Sequence, residues 1–578
     1  MTPESLTGYG LRLPRWRARL VLILFLAAFA ALAGRAAYLQ AVKTHFLQQK
    51  GEARFLRVVE VSAHRGRILD RHGEPLAVST PVESVWASPE DVPLDENALG
   101  RLAAILEMEP RALLARIREN PDRGFVYLKR HLSPEAAARV AALQIEGVFL
   151  QREYRRYYPS GEVAAHLIGF TNVDDDGQEG IELAYQDLLK GVPGSRRVIK
   201  DRLGRVVEDV QSVREPKPGQ DLTLSVDRRI QYLAYRELKQ AVEKHRARAG
   251  GIVVLDATTG EVLALANVPS YNPNDRAQAK PARVRNRVVT DAFEPGSTLK
   301  PFTVAAALAS GRYRSATPID TRPGSLTIGP ATVRDAHPHG VLTVAEVVQK
   351  SSNVGAAKIA LALPAKELWS TLERVGFGTP SGSGYPGEVS GRLRPYQRWR
   401  PIEQATMSYG HGISVSLLQL ARAYTVFATD GRLLPVSFLK VPAPAAGERV
   451  FSPQVAQAVR DMLELAVQPG GTAPAARVLG YRVAGKTGTA HKLVDGRYAP
   501  NLYVSSFVGL APASRPRLVV AVMVDEPRAG EYYGGVVAAP VFARVVEGTL
   551  RMLDVPPDAP MDPGLLAPEG LVPVREEV

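Results

Sequence analysis

The sequence predicts an α+β protein with an N-terminal transmembrane helix, an elongated mostly-β pedestal with a helical insert, and a C-terminal domain holding a five-stranded antiparallel sheet sandwiched by helices. Three observations predict it. An uncharged apolar run, Leu20 to Gly34, follows Arg12, Arg15, Arg17 and Arg19. A turn-rich linker, Arg214-Glu215-Pro216-Lys217-Pro218-Gly219-Gln220, marks a boundary near 215. Beyond it, strand-like segments cluster at both ends of the domain with a helix-rich block between them, the pattern of one sheet closed by helices.

Taken in order, the apolar run reaches the roughly 20 residues of a bilayer span when it continues through Ala36, Ala37, Tyr38 and Leu39, with Arg35 snorkelling to the far interface. The flanking arginines place its N-terminal side in the cytoplasm. Ala31-Leu32-Ala33 keeps a second reading open, a cleaved signal peptide. A mostly helical stalk is expected over 40–60, then a strand and turn over Ser62 to Gly73. Residues 89–145 change to helical spacing, with Asp95 or Asn97 as a cap and Leu102, Ile105 and Leu106 on one face. From Arg155 the chain reads as glycine-punctuated strands and turns.

After the linker come a strand over Asp221–Val226, a helix over Arg228–His245, and a hairpin that joins Gly251–Leu255 to Val262–Ala266 around Thr259-Gly260. Val483–Ala490, Val504–Leu510 and Leu518–Val524 supply three further strands. The final stretch is proline-rich with little apolar periodicity, and is expected to be unstructured.

Composition excludes several classes of chemistry. No cysteine is present, so disulfides, thiolate zinc sites and cysteine nucleophiles are ruled out. No two of the ten histidines lie four apart, and neither a metal nor any other cofactor is expected. The formal charge is +13, yet the arginines are dispersed instead of gathered on one stripe, so the expected neighbour is an anionic surface and not a nucleic acid.

Three motifs occur in order: Ser297-Thr298-Leu299-Lys300, Ser351-Ser352-Asn353 and Lys486-Thr487-Gly488-Thr489. Ser297 follows Glu294-Pro295-Gly296 and precedes an apolar helical run, which puts it at a helix start. A serine hydroxyl needs a base, and Lys300, three residues on, shares its helical face. Thr343 and Glu346 match a capping box whose helix ends at the polar turn Ser351-Ser352-Asn353. Lys486 to Thr489 sit in a strand context in which glycine leaves room for another backbone, and a peptide added as a strand would fit there. Together the motifs are the signature of serine acyl-transfer enzymes acting on D-Ala-D-Ala peptides or β-lactams.

Read whole, the chain resembles class B penicillin-binding proteins, the membrane-anchored monofunctional transpeptidases that crosslink peptidoglycan. Phe293 to Phe302, Ser351 to Gly355 and Gly485 to Ala490 carry the resemblance in the C-terminal half. Arg65 to Arg71, Arg156-Tyr157-Tyr158-Pro159 and Gly180-Ile181-Glu182 carry it in the pedestal. The resemblance implies that Ser297 is the acylated nucleophile and Lys300 its base. It implies a proton relay through Ser351 and Asn353, and a substrate strand of Lys486, Thr487, Gly488 and Thr489. It also implies stem-peptide and β-lactam ligands, and a polytopic glycan polymerase as partner in the inner membrane. The expected layout is a cytoplasmic tail over 1–19, an anchor over 20–39, a pedestal over 40–215, a transpeptidase domain over 216–552 and a tail over 553–578.

Phe293 to Gly296, Tyr385-Pro386-Gly387-Glu388 and Ser408 to Ala421 look like the septal, division-specific branch, from which His411 departs. The elongation branch stays open. A β-lactamase or D,D-carboxypeptidase shares the chemistry, but a long pedestal argues for transfer to an amine. A sensor or scaffold is disfavoured by the intact Ser297, Lys300 and Lys486.

Overall fold

The computed structural model describes residues 15–43, 56–93, 95–119, 125–200, 206–444, 446–494 and 496–561. Most of the N-terminal tail expected in the cytoplasm, the middle of the expected stalk and the last part of the C-terminal tail lie outside the described residues. One helix, Arg15–Ala41 including a final π turn, is long and apolar enough to cross a membrane, with mean hydropathy 2.3 over its best window and no residue buried in protein.

Two compact units form. The first combines Met1–Ala63, Val82–Glu153 and Val192–Lys217; the second combines His64–Pro81, Tyr154–Gly191 and Pro218–Val578. Two segments that precede the linker in sequence therefore pack with the C-terminal half.

In the first unit, Leu56–Val61 is a strand and not the end of a helical stalk, because its β-branched residues pair antiparallel with Gly194–Lys200, which pairs in turn with Val206–Arg214. Helices Glu96–Leu106, Pro110–Arg118 and Pro134–Ala142 form the helical insert. Asp95 caps the first by accepting from the Asn97 N–H at 3.0 Å. Leu102 and Leu106 are fully buried and Ile105 is partly so. The insert also contains a strand, Val126–Leu132, which the helical reading missed. Its Leu128 and Leu132 join the same core as the helices.

In the second unit, helix α1, Arg228–Lys244, leads into strand β1, Ala249–Asp256, and strand β2, Val262–Val268. Helices α2, Lys300–Ala309, α3, Val344–Lys350, α4, Asn353–Leu361, and α5, Leu417–Ala428, follow. Strands β3, Ala484–Val494, β4, Arg497–Ala511, and β5, Leu518–Asp525, complete the sheet before helix α6, Ala539–Met552. The strand order is β2-β1-β5-β4-β3 and every pairing is antiparallel, so the expected five-stranded sheet is present.

Side chains alternate between two cores, as a period of two demands. Val253, Leu255, Val519 and Ala521 face the core shared with α2 and α5, while Ile252, Val254, Val520 and Val522 face α1 and α6. Every residue of β1, β2 and β5 is buried, which explains why these strands read as continuous apolar runs and not as alternating ones.

Residues 158–191 differ from the expected strands. They form one-turn helices, Ala165–Ile168, Gly180–Ala184 and Gln186–Leu189, joined by glycines such as Gly169 and Gly180 at positive φ. The C-terminal tail is bonded well past 552: Asp558 accepts from the Arg482 N–H at 2.7 Å, and Val555 accepts from the Tyr481 hydroxyl.

Candidate active site

The turn that carries Ser297 is built from Pro295 and Gly296, the latter at φ +56°, where only glycine is at ease. A single 3₁₀ turn, Gly296–Leu299, then feeds α2. Pro301 falls in the first turn of α2, where a missing N–H costs nothing. Ser297 is 5 % exposed and Lys300 is fully buried. The Thr298 side chain donates to the Pro295 carbonyl, and the Tyr424 hydroxyl of α5 donates to the Thr298 carbonyl at 2.7 Å, which pins the turn from below.

Lys300 Nζ donates to Ser297 Oγ at 2.9 Å, to Ser351 Oγ at 3.0 Å and to the Ser351 carbonyl. These three neutral oxygens hold an amine that burial has removed from water. Ser351 can offer both oxygens because it terminates α3 at φ +63°, which turns its carbonyl out of the helix direction. The capping box at the start of α3 is present as expected: the Thr343 N–H donates to Glu346 at 2.7 Å, and the Glu346 N–H returns to Thr343 Oγ1 at 3.2 Å.

Ser352 caps α4, accepting from the Gly355 N–H at 2.9 Å and donating to Asp335 Oδ2 at 2.6 Å. Asp335 also takes the Val354 N–H at 2.9 Å, so it holds the start of α4 in place. Sequence reasoning missed it, since its loop lies 17 positions before Ser352 with no local pattern to connect them. Asn353, half-buried, donates from Nδ2 to the Arg334 carbonyl at 3.3 Å.

Strand β3 ends the sheet order, so among the described residues one of its edges carries no ladder partner. Lys486 is fully buried, with Nζ donating to Thr487 Oγ1 at 3.0 Å, and Thr487 Oγ1 also meets Thr472 Oγ1 at 2.9 Å. A Cβ on Gly488 would stand 2.7 Å from the Pro295 carbonyl oxygen and 2.9 Å from Thr298 Cγ2. The absent side chain is therefore what lets the third motif lie against the first. Thr489 Oγ1 accepts from the Gly534 N–H at 3.1 Å.

The loop over Ser408 to Gly412 closes the same turn: Thr303 donates to the Ser408 carbonyl at 2.8 Å, and the Gly296 N–H points to the Gly410 carbonyl at 3.4 Å. His411 stacks edgewise on Tyr409 at 5.2 Å. Burial first, then the charges of Lys300 and His491, lower its pKa to about 4, so it is neutral at pH 7. The three motifs thus meet on one turn, although the first two lie more than 130 residues before the third.

The family model described as penicillin binding protein transpeptidase domain matches residues 250–547, and the penicillin-binding protein dimerisation domain matches 60–224. The chain is 46% identical over 549 residues to the probable peptidoglycan D,D-transpeptidase PenA of Neisseria gonorrhoeae, covering 94% of each. It is 45% identical over 551 residues to the peptidoglycan D,D-transpeptidase FtsI of Escherichia coli strain K12, covering 94% of this chain and 93% of that one. Among solved structures, the apo transpeptidase domain of Burkholderia pseudomallei penicillin-binding protein 3 superposes with TM-score 0.54 at 51% identity, covering 58% of this chain and 98% of that chain. With both domain models matched in order and this identity along nearly the whole length, the chain belongs to the class B penicillin-binding proteins.

Proposed function

We propose that the protein is a serine D,D-transpeptidase that crosslinks peptidoglycan stem peptides and is acylated by β-lactams. The observation that carries this reading is the buried Lys300 amine held between Ser297 Oγ and Ser351 Oγ beside the free edge of β3. Ser297 Oγ attacks the carbonyl of the penultimate D-Ala while Lys300, in its neutral form, takes the hydroxyl proton. The N–H groups of Ser297 and Thr489 receive the oxyanion, where one donor is worth roughly 3 kcal/mol. Ser351 passes the proton to the departing D-Ala amine. An acceptor amine then opens the Ser297 ester and returns a proton to Oγ.

The donor peptide lies along β3 as an added strand, with its terminal carboxylate at Lys486 and Thr487, while Gly488 holds the strand against the turn that carries Ser297. Asn353, at the start of α4, is assigned to the substrate amide. A β-lactam follows the same first step, but its leaving amine stays tethered and the acyl-enzyme persists. Labelled penicillin is expected to attach to Ser297. Peptide mapping by mass spectrometry checks this, and an adduct on any other residue refutes the assignment.

The Arg15–Ala41 helix is read as a retained anchor with its N-terminal side in the cytoplasm. Resemblance at Phe293 to Gly296, Tyr385 to Glu388 and Ser408 to Ala421 supports a role in septal synthesis, with a polytopic glycan polymerase as partner. A reporter fused after residue 245 should read extracytoplasmic, and a fluorescent fusion should gather at the division site. A cytoplasmic signal overturns the first point and an even lateral distribution the second.

A further inference from the structure

Strand β3 is the edge proposed to receive the peptide, yet its ladder to β4 is interrupted along its outer stretch. Pairing runs from Ala484 to His491 and then slips, and Lys492 falls at the slip. An irregularity of this kind re-aims a side chain. Lys492 reaches across β4 to the end of β5, where its ammonium binds Asp525 Oδ1 at 2.6 Å and Glu526 Oε1 at 2.8 Å.

Those two acids are the centre of a larger cluster. Glu526 is 5% exposed and takes Arg248 at 2.8 Å and also Arg528, while Arg248 stands 4.0 Å from Asp525. Burial acts to raise the Glu526 pKa, but the bonds from Lys492, Arg248 and Arg528 outweigh it and bring the value down to about 2. The Glu526 backbone sits at φ +52°, a conformation that a non-glycine residue keeps only where its surroundings dictate it. Its N–H donates to the Tyr503 carbonyl of β4 at 2.9 Å, and the Arg248 N–H donates to the Asp525 carbonyl at 2.9 Å. The chain leaving the cluster returns to β3, where a Cβ on Gly534 would stand 2.6 Å from the Gly488 carbonyl oxygen. Strand β3 is thus held beside Gly488 by Gly534 and at Lys492 by the ion cluster.

We infer that Glu526 is a positioning residue for the donor peptide: with Asp525 it anchors Lys492, and so fixes the outer stretch of β3 as a template for the added strand. The inference rests on the transpeptidase reading. With the terminal carboxylate at Lys486 and Thr487 and the scissile carbonyl at Thr489, the upstream residues of the stem peptide run along Ala490 to Lys492. Fraying there would cost those upstream residues their main-chain partners and leave the reacting end, near the start of β3, in place.

The test uses the full chain in detergent and two thioester donors with one thioglycolate leaving group, whose carboxylate stands in for that of the terminal D-Ala. The short donor is a single N-acylated D-alanyl unit, and the long donor carries a stem peptide upstream of the same D-alanyl unit. Initial rates over a range of concentrations give KM and kcat for each. Glu526→Gln is expected to raise the KM of the long donor about fivefold or more, the size of one hydrogen bond. The kcat of the long donor and both constants of the short one should stay within about twofold of wild type. Glu526→Asp, which keeps the charge, should recover part of the loss. Lys492→Met, at a side chain 21% exposed, should reproduce the long-donor effect, and joined to Glu526→Gln it should add little further.

Long and short donors affected alike, an unchanged long-donor KM in a folded variant, or additive losses in the double variant overturn the inference. Thermal unfolding identifies the variants that fold, and Lys492→Met carries the test if Glu526→Gln does not. Penicillin labelling of wild-type Ser297 divides the failures. Labelling kept removes the role of Glu526 alone; labelling absent removes the transpeptidase reading beneath it too.

Discussion

Lys300→Ala is expected to slow acylation by labelled penicillin by about 10²- to 10⁴-fold, the usual range for removing a positioned base. The geometry makes the loss specific. Nζ is 2.9 Å from Ser297 Oγ and 3.0 Å from Ser351 Oγ, so in the proposed mechanism one substitution removes both the proton acceptor and the link to the relay. It also leaves the buried Ser351 carbonyl without that donor, at about 1–3 kcal/mol of stability. Thermal unfolding therefore needs to be measured beside the acylation rate. Acylation within a few-fold of wild type in a folded variant would mean that another group takes the proton.

Glu182→Gln carries the largest expected effect on stability, about 3–5 kcal/mol, because it removes the carboxylate from a buried charge triad. Arg65 binds Glu182 Oε2 at 2.7 Å, Arg156 binds Oε1 at 2.6 Å, and all three side chains are at most 1% exposed. Arg65 is further held by the carbonyls of Asp175 and Glu182, and Arg156 by Ser79 Oγ at 3.1 Å. A neutral amide would leave two buried guanidiniums with the neighbouring Asp175 carboxyl as their remaining acidic partner. The triad ties His64–Pro81 and Tyr154–Gly191 together inside the catalytic unit, so its loss should lower the unfolding midpoint of the whole unit. A shift worth less than about 1 kcal/mol would show that water or relaxation replaces the carboxylate, as at exposed pairs.

Much of the fold was legible because local rules and tertiary packing agree along these segments. Asp95, the Thr343 and Glu346 box and the hairpin at Thr259-Gly260 are short-range devices, and each appears where spacing put it. Segments with competing signals were misread. Leu56–Val61 reads locally as the end of a helical stalk, and it is its strand partner, more than 130 residues away, that makes it a strand. Residues 158–191 hold glycines that read as strand punctuation but serve as close-approach points between one-turn helices.

The candidate site divides the same way. Ser297, Lys300, Ser351 and the Lys486 to Thr489 strand announce themselves by residue type and spacing. Asp335, Thr472 and Tyr424 do not, since each acts by supporting another group from a distant part of the chain.

The sequence by itself determined the class of chemistry, the order of the three motifs, the apolar N-terminal helix and the five strands, because these follow from residue type and short-range periodicity. Only the tertiary structure decided that Lys300 lies between two serine hydroxyls, that Gly488 is the empty space joining β3 to the turn that carries Ser297, and that Arg65, Arg156 and Glu182 share one buried site. Those are contacts between segments far apart in the chain. They depend on how apolar faces pack, which no local pattern encodes.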